Sequence, residues 1–241
     1  MRIDKLLANS GYGSRKEVKQ LLKTGVVKAD GNVIKDPKTH VDPDQQEITV
    51  HEAVVDYREF IYLLMNKPQG LLSATEDDLQ ETVIDILQPE DALFEPFPVG
   101  RLDKDTEGLL IITNDGQLSH QLLSPKKHVP KTYFAEVSGF VTEEDIESFK
   151  LGVTLDDGYL TKPAKLVILE SASVSKIELT ITEGKFHQVK RMFEAVGKKV
   201  VYLKRLSMGP LQLDADLEPG EYRELTDEEV EELRNAKVFD L

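Results

Sequence analysis

Apolar positions along the chain change period twice, and the changes mark its elements. Ile3, Leu6 and Leu7 recur at helical spacing, and Ser10-Gly11 ends that turn. Ser14 with Glu17 three residues on has the form of a capping box, and the helix it opens buries Val18, Leu21 and Leu22 and stops at Gly25. "VVKADGNVI" then predicts a hairpin turning at Asp30-Gly31, and "EITV" a short closing strand. Residues 1–50 therefore form one small unit, and "HEAVVDYRE", residues 51–59, is expected to be a linker.

From Phe60 the texture becomes that of strands. "FIYLLMNKP", "GLLIITNDG", "KTYFAEVSG", "AKLVILE", "SKIELTIT" and "KKVVYLKRLSMG" are short apolar runs bounded by Gly or Pro. Helical spacing is expected at about 80–88, 115–123, 142–149 and 187–196. A last helix in "TDEEVEELRNAKVF" has Val230, Leu233 and Val238 as its apolar positions. Several strands follow one another directly, so residues 60–241 read as α+β with a mixed, mostly antiparallel sheet flanked by helices.

Composition narrows the picture. The chain contains no cysteine, which excludes disulfides and thiol nucleophiles and fits a reducing cytoplasm. No run of eighteen apolar residues is present, so no membrane helix is expected, and the N-terminus is too polar for a signal peptide. The net charge of −14 argues at first against a nucleic-acid partner, but the charge is uneven. Residues 1–28 carry seven Lys/Arg against two acids, and residues 181–210 do the same; residues 211–241 hold eleven acids and three bases. A polyanion responds to patches within a Debye length of about 10 Å, so two basic islands outweigh the total.

On the predicted second helix, Arg15, Lys16, Lys19 and Lys23 have few acids nearby to pair with; Lys16, Lys19 and Lys23 share one face, which suits phosphates. In "GRLDKDTEGLLIITNDG", Asp103 and Asp105 crowd with Arg101 and Lys104 before a core strand. Gly100 and Gly108 bracket them, which points to tightly shaped backbone. In "EGKFHQVKRMFEAVGKK", Val189, Met192, Phe193 and Val196 form an apolar helix face stopped by Gly197. His187, Lys190 and Arg191 lie in its first turns, where the macrodipole favours anions, so their partner is an external anion or a buried carboxylate. Tyr133 in "KTYFAEV" is a core aromatic or a stacking platform for a nucleobase. No metal site is expected, since no second His or acid stands beside His187 at ligand spacing.

Together "NKPQG", "GRLDKDTEGLLIITNDG", "KTYFAEV" and "EGKFHQVKRMFEAVGKKVVYLKR" resemble the successive motifs of the RsuA-type pseudouridine synthases. The first unit resembles the S-four-type RNA-binding module that precedes their catalytic domain. The resemblance implies isomerisation of uridine to pseudouridine in ribosomal RNA without a cofactor. Asp103 would be nucleophile or base, Lys190 its basic partner and Tyr133 the active-site tyrosine. Arg101 would hold the flipped nucleotide, with His187, Gln188, Arg191, Arg15, Lys16, Lys19 and Lys23 as further RNA contacts. "HQVKRMF" is similar to the branch acting on the small-subunit (16S) RNA, whose site is uridine 516, whereas large-subunit relatives tend to have Asn-Arg in place of Phe186-His187. The expected partner is ribosomal RNA or a small-subunit assembly intermediate, met by a cytoplasmic monomer.

Two other readings remain open at this stage. One is a non-catalytic ribosome-associated RNA-binding protein, for which a carboxylate facing RNA would be unnecessary. The other is a glycosidase using Asp103 and Asp105. Such sites need carboxylates about 5–10 Å apart, and residues two apart on a strand are separated by roughly 6–7 Å. The basic islands and the lack of tryptophan weigh against it.

Overall fold

The computed structural model describes residues 1–236, and its contacts divide the chain into two units, residues 1–61 with 87–96, and residues 62–86 with 97–241. In the first unit, helices α1 (Ile3–Asn9) and α2 (Arg15–Thr24) precede strands β1 (Val27–Ala29), β2 (Asn32–Val33), β3 (Ile48–Val50) and β4 (Ala53–Val54). The strands form an antiparallel sheet in the order β2-β1-β3-β4. The predicted capping box is present at α2: Ser14 N donates to Glu17 Oε2 at 2.7 Å, and Glu17 N bonds Ser14 Oγ. Gly25 ends the helix at φ +79°, a left-handed conformation that costs glycine no Cβ clash. Ile3, Leu6, Leu7, Val18 and Leu22 are wholly buried in one core with Val27, Ile48 and Val50. Leu21 packs at its edge and is half-buried.

The expected linker contains structure. Residues 51–59 begin with a tight turn at His51 and Glu52, both at positive φ, and β4 then pairs back onto β3 through Thr49↔Val54.

The second unit is built from β5 (Tyr62–Lys67), β6 (Phe97–Pro98), β7 (Glu107–Thr113), β8 (Lys131–Ser138), β9 (Lys165–Glu170), β10 (Val174–Ile181), β11 (Lys199–Met208), β12 (Leu211–Gln212) and β13 (Tyr222–Glu224). Its sheet runs β13-β5-β7-β11-β8-β10-β9, with β6 on β7 and β12 on β11. Every pairing is antiparallel except β7 with β11, where Glu107 and Gly108 lie beside Lys204 and Arg205. The mixed, mostly antiparallel α+β sheet expected from the sequence is thus present. Helices α4 (Gly116–Leu123), α5 (Glu143–Leu151), α6 (Gln188–Ala195) and α7 (Asp227–Arg234) flank it, after a single short turn α3 (Pro89–Ala92) that belongs to the first unit.

Hydrophobic burial explains the layering. Leu64, Leu109 and Ile111 share a core with Leu118 and Leu122 of α4 and Val230 and Leu233 of α7. The acidic α7 is therefore anchored by its apolar stripe, while Val238, the third expected apolar position, lies outside the described residues. Asp115 caps α4 by accepting from Gln117 N and Leu118 N at 3.0 Å, and Tyr62 Oη donates to its other oxygen at 2.8 Å. On α6, Val189, Met192 and Phe193 are buried, Phe193 stacking at 4.9 Å on Phe149 of α5; Val196 is half-buried at the helix end.

The helix expected at 80–88 does not form. Thr82 N and Oγ1 both donate to Asp85 Oδ2, at 2.7 and 2.9 Å, and Thr82 bridges Leu72. Leu72 N also donates to Glu81 O at 3.0 Å and Val83 N to Leu72 O at 2.9 Å, so the backbone here pairs with a distant segment instead of coiling, and Val83 and Leu87 are buried from that loop. Their spacing imitates helical periodicity without a helix.

Candidate active site

The loop before β7 is fastened from beneath by a lysine. Lys67, the lysine of "NKPQG", is fully buried, and its Nζ donates to the carbonyls of Pro68 and Thr106 at 3.0 Å and of Asp103 at 3.2 Å. Burial pushes its pKa down to about 8, against the upward pull of Asp105, Asp103 and Glu107. Gly70 N donates to Lys104 O at 2.8 Å, and Ser73 Oγ to Leu102 O at 2.9 Å. The two bracketing glycines are required by shape. Gly108 sits at φ +102°, and a Cβ there would lie 2.2 Å from the backbone oxygen of Arg205 on the parallel neighbour. Gly100 sits at φ +76°, where a Cβ would meet Leu123 at 2.8 Å.

This loop presents Asp103 to a cavity of about 380 Å³. Asp103 shares the wall with Arg101, Tyr133, Lys190, Lys131 and Arg205; Leu102, Leu123, Ile181 and Leu203 supply apolar surface. Lys190 Nζ lies 3.0 Å from Asp103 Oδ2 and 2.6 Å from Asp105 Oδ1, and His187 Nε2 lies 3.6 Å from Asp103 Oδ1. The buried-carboxylate partner expected for the basic start of α6 is therefore Asp103. Burial alone would lower the pKa of Lys190; the hydrogen bonds to Asp105 and Asp103 outweigh it and raise the pKa. The Lys190 hydrogen bond likewise lowers the pKa of Asp105. The two aspartates differ in place: Asp103 is 27% exposed on the cavity wall, Asp105 is 68% exposed and outside it. A two-carboxylate site across one substrate, as a glycosidase needs, is not what this loop builds.

The cavity floor comes from the sheet. Alternation on β8 turns Lys131 and Tyr133 inward, both under a tenth exposed. Arg205 is the cross-strand partner of Tyr133 on β11 and is 2% exposed. Its Nε donates to Leu109 O at 2.7 Å, while Nη2 is buried with no hydrogen-bond partner among the described residues. Lys131 Nζ donates to Val129 O at 3.0 Å, and burial, with the charge of Arg205 second, pushes its pKa down to about 8.

Lys67, Lys131 and Arg205 escaped the sequence reading. The signal was alternation itself. Arg205 shares a face with buried Leu203, and Lys131 with Tyr133 and Ala135, so each cation occupies a core-facing register.

Other expected site residues are placed differently. Arg101 is exposed at the cavity. Gln188 is 4% exposed and spends its amide internally, accepting from Lys185 N at 2.8 Å and donating to Glu183 Oε1 at 2.7 Å. Arg191 does not line the cavity; its Nε donates to Asp156 at 2.7 Å and its Nη2 lies 2.7 Å from Asp157. Gln188 and Arg191 thus shape the turn before α6. Arg15, Lys16, Lys19 and Lys23 stand exposed on α2 in the first unit. Among the described residues no group of three His, Asp or Glu could hold a metal ion, and no helix is long and apolar enough to cross a membrane.

Comparison with known proteins places the chain in a family. The family model described as RNA pseudouridylate synthase matches residues 61–195, and the S4 domain model matches residues 1–46. The chain belongs to the RNA pseudouridylate synthase family. It is 64% identical to a Bacillus subtilis protein named "Uncharacterized RNA pseudouridine synthase YtzG", across 99% of this chain and all of that one. It is 39% identical to the Escherichia coli ribosomal small subunit pseudouridine synthase A, over 95% of this chain and 98% of that one. It is also 39% identical to the Bacillus subtilis ribosomal large subunit pseudouridine synthase B, over 97% of this chain and 95% of that one. A solved structure titled as a pseudouridylate synthase superposes with a TM-score of 0.68 at 36% identity, covering 97% of this chain and 99% of that one.

Proposed function

We propose that this protein converts one uridine of small-subunit ribosomal RNA, at position 516, to pseudouridine, with Asp103 as the catalytic carboxylate. The observation that carries the reading is the Asp103–Lys190 pair at 3.0 Å on the wall of a cavity large enough for a nucleotide. Relatives named for either ribosomal subunit are each 39% identical, so the subunit choice rests on the resemblance of "HQVKRMF" to the small-subunit branch.

The target uridine leaves its stack, at a cost on the order of a few kcal/mol, and enters the cavity. Arg101 holds its phosphate, and Tyr133 packs on the base. Lys190 gives Asp103 a cationic partner, so the carboxylate remains charged as the nucleotide displaces water. Asp103 then attacks C1′ or removes the 2′ proton. In either route the C1′–N1 bond breaks and its electron pair passes to uracil, spread over N1, O2 and O4. Lys131 and Arg205, cations with no carboxylate bonded to them among the described residues, lie on the wall where that negative charge develops. The uracil turns and C5 bonds to C1′; in the first route this breaks the Asp103–C1′ bond and frees the carboxylate, and in the second Asp103 returns the proton to C2′. The C5 proton is then lost with Tyr133 beside it, and N1 gains a proton. The exposed cations of α2 add phosphate contacts. The substrate is naked RNA or an assembly intermediate, met by a monomer in the cytoplasm.

A pseudouridine map of ribosomal RNA from cells lacking the protein tests this. One small-subunit site should vanish, return with wild type, and stay absent with Asp103→Asn. An unchanged map would remove the assignment and leave an RNA-binding role on another RNA.

A further inference from the structure

The turn before α6 carries an aromatic pair whose geometry the catalytic carboxylate does not require. Phe186 is 71% exposed, although it adjoins the cavity, and its ring lies on that of His187 with centroids 3.7 Å apart and planes 20° from parallel. Exposing a phenylalanine to this degree forgoes most of its burial free energy. His187 also adopts φ +48°, a left-handed conformation that a non-glycine residue rarely takes. The surroundings hold this arrangement rigidly. Gln188 bridges Lys185 N and Glu183, and Arg191, itself fixed by Asp156 and Asp157, reaches the carbonyl of Phe186 at 3.4 Å. One face of the Phe186 ring is taken by His187, and the residue stays open to solvent. Cations suited to a phosphate chain flank it: exposed Lys185 and, on the same cavity, Arg101.

We propose that Phe186, backed by His187, is a stacking platform for an unpaired nucleobase of the substrate RNA neighbouring the one that enters the cavity. This deepens the proposed function by assigning how the RNA is held beside the same site. A planar, preorganised aromatic surface next to positive charge matches a base with its phosphate, since every base offers a π-face whatever its sequence. A protein partner would require a wider apolar surface, and the neighbouring residues Gly184, Lys185 and His187 do not supply one.

The chain contains no tryptophan, so Phe186→Trp supplies a single fluorophore at the platform. Phe140→Trp, at a residue 62% exposed that does not line the cavity, is the control. Each is titrated with a short single-stranded oligouridine and with an abasic ribose-phosphate chain of equal length. Binding is followed separately by the anisotropy of the labelled chain. The proposal predicts strong quenching of Phe186→Trp by oligouridine, none by the abasic chain, and none for Phe140→Trp. Phe186→Ala should weaken oligouridine binding about tenfold with an unchanged melting temperature, as loss of one stacked base implies. Equal quenching by the abasic chain, bound oligouridine without quenching, or unaltered affinity of Phe186→Ala would each overturn it. Quenching does not depend on turnover. Quenching together with an unchanged pseudouridine map of ribosomal RNA would reject the enzymatic assignment and retain the platform, and a map that loses its site without the protein, with no quenching, would do the reverse.

Discussion

The two basic islands carry the same net charge of +5 and do different work. On α2, Arg15, Lys16, Lys19 and Lys23 are exposed, and the nearby acid, Glu17, is occupied in the capping box. On α6, β11 and the turn between them, Lys190 binds Asp103 and Asp105, Arg191 binds Asp156 and Asp157, Lys198 binds Asp145 at 2.8 Å, and Arg205 is buried. The first island is exposed, and charges so placed act through a field that salt screens. The second acts at contact, where burial makes each charge count for more. The lesson is that a charge count locates a patch, and the partners decide whether it attracts a polyanion or builds a site.

The contrast breaks most visibly at Asp103. Asp103→Asn should lower the single-turnover rate by on the order of 10⁴, with RNA affinity within about threefold. Asp105→Asn, which removes the exposed partner of the same ammonium, should cost less than about tenfold. Next in size is Lys190→Met, expected to reduce the rate by about 10²–10³ as a preorganised charge next to the reacting group is lost. Lys190→Arg should restore part of it. The first island should respond in the opposite parameter. Replacing Lys16, Lys19 and Lys23 together by Ala should leave the single-turnover rate at saturation unchanged. It should reduce the slope of log affinity against log salt by about two, given roughly 0.7 per phosphate contact on single strands. An unchanged slope would show that α2 makes no phosphate contact.

The smallest effect is in stability. A lysine whose pKa is lower in the folded than in the unfolded chain is protonated more readily when unfolded. Between the folded pKa of about 8 and the ordinary 10.5, the unfolded state therefore binds more protons, and stability rises with pH. Lys131 and Lys67 both contribute this rise. Thermal melts from about pH 8 to 9.5 should show it, and Lys131→Met should flatten it by removing one of the two groups.

Much of this was readable from sequence because period and burial agree. β8 alternates as "KTYFAEV" predicts, and the capping box at Ser14 and the stop at Gly25 stand where the residues place them. The failures have one physical source, namely partners distant in sequence. The segment at 80–88 has helical spacing, but its backbone pairs with Leu72. β6, β12 and β13 are two or three residues long and exist through their neighbours. At the site, the family resemblance led to Asp103, Tyr133 and Lys190. Lys67, Lys131 and Arg205 were missed because a lysine or arginine in a strand reads as exposed until its register is set against buried neighbours. Nothing local in the sequence reveals that Arg191 bonds Asp156, thirty-five residues away, or that Gln188 bonds Glu183.

The most direct test of the central claim uses small-subunit RNA made with uridine tritiated at C5. Forming the C1′–C5 bond expels that hydrogen, so tritium appears in solvent once per pseudouridine. Wild type should release one equivalent, while Asp103→Asn should release none with the same RNA still bound. Release by Asp103→Asn at a rate near that of wild type would contradict the assignment of the reaction to this carboxylate.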